Sequence, residues 1–333
     1  MRSIKLPSWI ERALGAEAVP VPPHVFALDA GRLRYAQMLR DRQGYRVRGY
    51  RQVALPRDAF HSGLLGGPFR DPAAFQELVG GLVRGVGTGG TGRAGVKAAS
   101  LVIPDAWLRV AFTESGELPR TAEQRDEVLR WKLRRLVPFR VDELRVNASE
   151  VAPLPGQEEP RRLLLGFGIE QLLAQIEAAF SAHGVRLGWV SNTSLSLLAA
   201  LDGRPDEIVA LALVEEHGYT LIFARNGEPV LHRYKGFTGV VPEVGRTGLV
   251  VRDLRLTRNF LDENLPGVPL ARVLLLAAPE QEPLWVDLLA EGLGQSAAPL
   301  DGRHLPPVRA EDTAVPAWRD LAPMLGAARR EVA

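Results

Sequence analysis

Two stretches of this chain repeat one design, and that repetition limits what the chain can fold into. The first, VFALDAGRLRYAQMLRDRQGYRVRGYRQVAL (Val25–Leu55), runs as an apolar strand into Asp29-Ala30-Gly31 and turns. It continues through Leu33–Leu39, turns at Arg42-Gln43-Gly44 and resumes to about Val53. The second, IVALALVEEHGYTLIFARNGEPVLHRYKGF (Ile208–Phe237), has an apolar strand ending in Glu215-Glu216-His217-Gly218. It continues through Thr220–Ala224, turns at Asn226-Gly227 and resumes to about Lys235. Asn-Gly between alternating apolar residues is a strong hairpin signal, because both positions tolerate positive φ. Each stretch therefore reads as a three-stranded meander whose first turn carries an acid and a glycine. A meander used twice in 333 residues predicts two related α/β halves.

The remaining segments alternate between helical and extended patterns. Phe75, Leu78 and Leu82 fall at helical spacing within Asp71–Val86, and Ser100–Phe112 reads as strand, Pro-Asp turn, strand. Thr121-x-x-Gln124 has the form of a capping box, opening the basic helix of EVLRWKLRRLVPFRVDELRV (Glu127–Val146) that Pro138 cuts off. Leu129, Leu133, Leu136 and Val137 form its apolar stripe, while Arg130, Lys132, Arg134 and Arg135 occupy other positions, with Trp131 near the edge. Arg161–Gly168 predicts a buried strand, Ile169–Gly184 a helix closed by glycine, and VRLGWVSN with TSLSLLAALDG a further strand and helix. Arg272–Pro279 predicts a strand followed by the helix PLWVDLLAEGLG. GVGTGGTGRAG (Gly85–Gly95) matches G-x-G-x-x-G but follows a helix and precedes a strand, the reverse of a dinucleotide site, so it reads as a loop. The tail beyond Pro299, rich in Pro, Ala and charge, reads as returning to the first lobe or as partly disordered.

Composition excludes several classes. With no cysteine there is no disulfide framework and no Cys-built metal site. No run approaches the ~20 apolar residues of a membrane span, and MRSIKLPSWIERALG lacks the apolar core of a signal peptide. Both point to the cytoplasm. Ser8-x-x-Glu11 in that segment is a second capping box, and Trp9, Ile10, Ala13 and Leu14 predict a short helix docked on the body. Net charge is +2, yet residues 1–60 carry 11 Lys/Arg against 5 Asp/Glu. No basic stripe with exposed aromatics accompanies that excess, so nucleic acid is not expected as a partner. There is no G-x-S-x-G elbow, and the six histidines lack metal-ligand spacing.

The segment SLVIPDAWLRVAFTESGELPRTAEQRDEVLRWKLRRLVPFRVDELRVNAS, with Pro138-Phe139 followed by Asp142-Glu143, resembles the central part of the type IV pilus assembly protein PilM family. The order strand, helix, glycine, strand, helix in LLLGFGIEQLLAQIEAAFSAHGVRLGWVSNTSLSLLAAL resembles the segment that follows it in that family. The two meanders fall at the family's phosphate hairpins, so the resemblance spans about Val25 to Gly294. It implies an actin-like (RNase H-like) two-lobed α/β fold with mixed sheets, related to FtsA and to the cytoplasmic domain of GspL. The expected organisation is an N-terminal segment at 1–20 and a first lobe at 21–200 carrying an inserted subdomain around 56–160. A second lobe at 201–300 and a tail at 301–333 complete it. The resemblance also implies a scaffold at an inner-membrane assembly platform of a pilus or type II secretion-like machine. Its partners would be the cytoplasmic tail of a PilN-like bitopic membrane protein and the motor ATPase, with membrane association only through partners.

In this actin-like family the two turns hold a nucleotide's phosphates. Here Asp29, Gly31 and Arg32 mark the first turn, and Glu215 and Gly218 mark the second, as a vestigial nucleotide site. The Ser/Thr-Ser-x-Lys portion is missing after Gly31, two carboxylates stand at the second turn, and Ala277-Ala278-Pro279 replaces the family's later Gly-Gly. The expectation is a non-hydrolysing member without cofactor. The alternative is an active ATPase in which Arg32 or Arg34 meets the phosphates of ATP with magnesium, and a sugar-kinase-like enzyme lacks a placed base. Trp131, Arg135 and Phe139 are the residues expected to meet the partner's tail.

Overall fold

The computed structural model describes residues 22–29, 31–56, 68–87, 96–114, 118–119, 121–137, 140–154, 162–237, 243–310 and 316–328. The expected N-terminal helix, residues 88–95 of the expected Gly85–Gly95 loop and the Pro138-Phe139 pair lie outside these residues, while Gly85–Gly87 form the end of a helix rather than loop.

Both meanders form, and each is extended in the same way. β1 (His24–Leu28), β2 (Arg32–Asp41) and β3 (Gly44–Ala54) pair antiparallel, and β4 (Ala98–Ile103) and β8 (Arg186–Asn192) add to β1 in parallel. β9 (Ile208–Glu215), β10 (Gly218–Arg225) and β11 (Glu228–Gly236) repeat this, with β12 (Leu270–Leu276) and β13 (Ala297–Pro299) added in parallel to β9. The strand orders β3-β2-β1-β4-β8 and β11-β10-β9-β12-β13 have the same topology. The Asn226-Gly227 hairpin turns through positive φ at both residues, 51° and 74°, the geometry that matches strand twist.

Alternation along the strands builds three apolar layers. Val25 and Ala27 of β1, with Val209, Leu211 and Leu213 of β9, face a shared interlobe core. Phe26 and Leu28 face the opposite side, under α1 (Pro72–Gly87) and α3 (Glu170–Ser181), with Phe75, Val79, Ile176 and Phe180 filling the contact. Ile208, Ala210 and Ala212 likewise face α5 (Glu243–Asn264) and α6 (Glu282–Leu293).

The crossover from β4 to β8 carries the inserted unit. β5 (Arg109–Glu114), β6 (Leu144–Val151) and β7 (Arg162–Ile169) form an antiparallel sheet, on which α2 (Ala122–Arg134) buries Leu129 and Leu133. α1 packs on the first sheet's core rather than with this unit. Thr121 caps α2 with extended backbone but makes no side-chain cap hydrogen bond, so the expected capping box is not realised. Its carbonyl accepts from Arg125 N–H instead. The insert is tied to both lobes. Arg145 pairs with Glu170 and Glu177 of α3, while buried Arg162 donates to the Pro229 and Val230 carbonyls of β11 and stacks on Phe112.

The tail returns to the first lobe. β14 (Val308–Ala310) pairs with β3 in parallel, and α7 (Trp318–Ala328) enters the interlobe core through Leu321, Met324 and Leu325. Partial disorder, one of the two readings of the tail, does not apply to these residues. Glycine makes both contacts possible: a Cβ on Gly44 would stand 2.2 Å from the Pro307 carbonyl oxygen, and one on Gly326 would stand 2.1 Å from that of Ser196. The expected helix of TSLSLLAALDG is a single turn, α4 (Thr193–Ser196), running into a 3₁₀ turn at Leu197–Ala200 against which α7 packs. Asn192 caps α4 by accepting the Leu195 N–H, at 2.9 Å.

Candidate functional site

The two acid-bearing turns face each other across a cleft of about 800 Å³. β1 and β2 supply Asp29, Gly31, Arg32 and Arg34; β9 and its turn supply Glu215, Glu216 and His217; α7 supplies Arg319 and Pro323. Pro104, Ala106 and Trp107, from the turn after β4, line it as well.

At the first corner, Asp29 folds back on its own turn. Its Oδ1 accepts from the Gly31 and Arg32 amides at 2.9 and 2.8 Å, the short-range carboxylate turn that Asp favours. Its Oδ2 pairs with Arg34 at 3.0 Å. From α7, Asp320 pairs with Arg34 at 3.0 Å and Arg32 at 3.2 Å. The amides and guanidiniums that could greet an anion are thus already held by carboxylates of the chain.

The second corner crosses the cleft. The Asp105 backbone N–H donates to Glu215 Oε2 at 3.2 Å. Burial, then the neighbouring Asp105 carboxylate, push the Glu215 carboxyl well above the usual range, and Asp29 adds to the effect. Glu216 and His217 are exposed turn residues. Gly218 does not line the cleft. A Cβ there would stand 2.4 Å from the Lys235 carbonyl oxygen, so close strand packing requires a glycine at this position.

Behind Glu215 lies a polar cluster that spacing along the chain does not announce. The Ser194 N–H donates to Asp105 Oδ1 at 3.0 Å, and Ser194 Oγ lies 2.9 Å from His232 Nε2. Asp105 Oδ2 approaches the same nitrogen at 3.4 Å, and both side chains are fully buried. Since Ser194 and Asp105 meet one ring nitrogen, and Nδ1 has no hydrogen-bond partner among the described residues, the acid does not orient the histidine as a nucleophile's base requires. The trio instead joins the lobes: Asp105 and Ser194 belong to the first, His232 to the second. Nearby, Tyr234 lies under Arg109 of the insert at 4.3 Å, and burial pushes its hydroxyl up to about 12. Among the described residues no group of three or more His, Asp or Glu could hold a metal ion.

Trp131 and Arg135 come together on the outer face of α2. Trp131 is 56% exposed, the Arg135 guanidinium sits 5.5 Å from its ring centroid, and Leu136 beside them is also exposed. The neighbouring cations are engaged elsewhere: Arg130 donates to the Leu144 carbonyl, Lys132 to that of Glu114, and Arg134 pairs with Asp142. Phe139 lies outside the described residues. Asp105, Ser194, His232 and Asp320 were not singled out by sequence. The available signals were a histidine inside an apolar strand and the polar run Asn192-Thr193-Ser194 at a strand end.

Neither a protein-family model nor a curated protein matches the sequence. Among solved structures, a chain of the PilM-PilN type IV pilus biogenesis complex superimposes with a TM-score of 0.65 at 15% identity, covering 94% of this chain and 97% of that one. The cytoplasmic domain of EpsL, an inner-membrane component of the Vibrio cholerae type II secretion system, gives 0.46 at 11% identity, covering 92% and 95%. The ethanolamine utilization protein EutJ of Carboxydothermus hydrogenoformans gives 0.45 at 11% identity, covering 94% and 91%. The fold is the actin-like α/β fold. Among the described residues no helix is long and apolar enough to cross a membrane.

Proposed function

We propose that this protein is a docking scaffold of a type IV pilus or related secretion platform, and that it works without bound nucleotide. The observation that carries the reading is the near end-to-end similarity to a chain of the PilM-PilN complex. By that likeness, the partner is the cytoplasmic tail of a PilN-like membrane protein, and association with the inner membrane runs through it. The exposed Trp131–Arg135 pair beside Leu136 supports the insert as the receiving surface, since aromatic and Arg anchors dominate such contacts.

The first turn's donor set argues against a bound triphosphate. The first turn's amides and arginines already hold Asp29 and Asp320, and Glu215 and Glu216 line the opposite wall. A polyanion entering there would face Glu216 and Asp29 and would have to break existing ion pairs.

The test is calorimetric titration of the tail peptide of the bitopic platform protein into the full chain. Saturable binding that Trp131→Ala removes while the thermal midpoint stays unchanged supports the reading. No binding at high micromolar peptide overturns it.

A further inference from the structure

Six large apolar side chains stand exposed among the described residues, and they fall in two places. Trp131 and Leu136 belong to the insert; Leu249, Leu256 and Phe260 of α5, with Leu284 of α6, belong to the second lobe's outer layer. Leu249, Leu256 and Phe260 are spaced by seven and four residues, so they form one stripe along the helix. Val250, Val251, Leu254 and Leu261 bury the opposite face against the sheet. A surface helix that is apolar on both faces has a second apolar face to cover.

The charges around the stripe say what covers it. Arg255 pairs with Glu291, Arg258 with Asp262, and Asp253 with Arg233 and Lys235. Arg252 and Glu263, both exposed, make no ion pair among the described residues. They are of opposite sign and flank the Leu256–Phe260 pair, four residues before it and three after. We propose that α5 is a self-association surface, on which a second copy of this chain packs its own α5 antiparallel about a two-fold axis between Leu256 and Phe260.

In that arrangement each Leu256 meets the second copy's Phe260, and each Arg252 meets the second copy's Glu263. The contact is self-complementary, as a two-fold interface must be. A parallel pairing in register would set Arg252 against Arg252. One helix face per copy buries less than a standard interface, so the dimer is weak and concentration-dependent.

Sedimentation velocity on the full chain, from micromolar to submillimolar concentration, tests this. Wild type should shift from monomer to dimer, and Leu256→Asp should remain monomeric throughout with an unchanged thermal midpoint. Arg252→Glu and Glu263→Arg should each weaken association about tenfold, and the double variant should recover it. A wild type that stays monomeric, a dimer indifferent to Leu256→Asp, or a double variant no better than the singles would overturn the proposal.

Discussion

The Asp105 backbone N–H donates to the Glu215 carboxyl Oε2 at 3.2 Å, so an acid at the corner of one lobe is held by the turn of the other. Here the chain supplies both partners, and the buried Ser194–His232–Asp105 trio adds further contacts across the same boundary.

Glu215 should make stability depend on pH in a defined direction. Burial and Asp105 raise its folded-state pKa, so the folded protein keeps a proton that the unfolded chain has released above the ordinary carboxylate range. Its contribution is complete below that range and is lost as pH rises through the folded value. Chemical denaturation at about pH 5 and about pH 8 should show wild type losing more stability than Glu215→Gln, which keeps an acceptor for Asp105 but cannot titrate. Equal losses in both proteins would remove Glu215 from the account.

Asp320 should anchor α7 to the first corner. Asp320→Ala leaves the mostly buried Arg34 with Asp29 as its remaining carboxylate. The expected cost is about 2 kcal/mol, reduced from the figure for a fully buried pair because Asp320 retains some exposure. Urea denaturation measures it, and a change below about 0.5 kcal/mol would mean that solvent already satisfies Arg34.

Gly326→Ala tests the docking of α7 by sterics alone. The added carbon would stand 2.1 Å from the Ser196 carbonyl oxygen, which belongs to backbone and cannot swing aside. A loss of about 3 kcal/mol or more is expected. Faster hydrogen exchange in α7 should accompany it.

On α2, two neighbouring positions should separate binding from stability. Leu133 is fully buried under the inserted sheet, so Leu133→Ala should cost about 2–5 kcal/mol. Trp131 is exposed, and Trp131→Ala should change stability by no more than about 0.5 kcal/mol while removing tail binding. Both are read by thermal denaturation beside peptide titration.

What the sequence disclosed, it disclosed where the determinants are local. The Asn226-Gly227 turn, the apolar runs of β1 and β9, and the acid and glycine of each first turn all lie within a few residues of one another, and together they marked the duplicated meanders. The interlobe cluster was hidden because Asp105, Ser194, His232 and Glu215 come from four separate segments, each polar for an ordinary local reason. α5 escaped reading because Leu249, Leu256 and Phe260 on its outer face blur the periodicity of the buried face. α7 does not stand out in the sequence because Pro323 sits inside it and its burial depends on Gly326 fitting against a distant carbonyl.

The decisive measurement is titration of the bitopic protein's tail peptide into the full chain with and without millimolar Mg-ATP, alongside Mg-ATP alone. Saturable peptide binding with the same affinity in both conditions, and no saturable heat from Mg-ATP alone, is the expected result. Peptide binding that requires Mg-ATP, or Mg-ATP binding that Asp29→Ala abolishes, would contradict a scaffold whose lobes are held together by its own side chains.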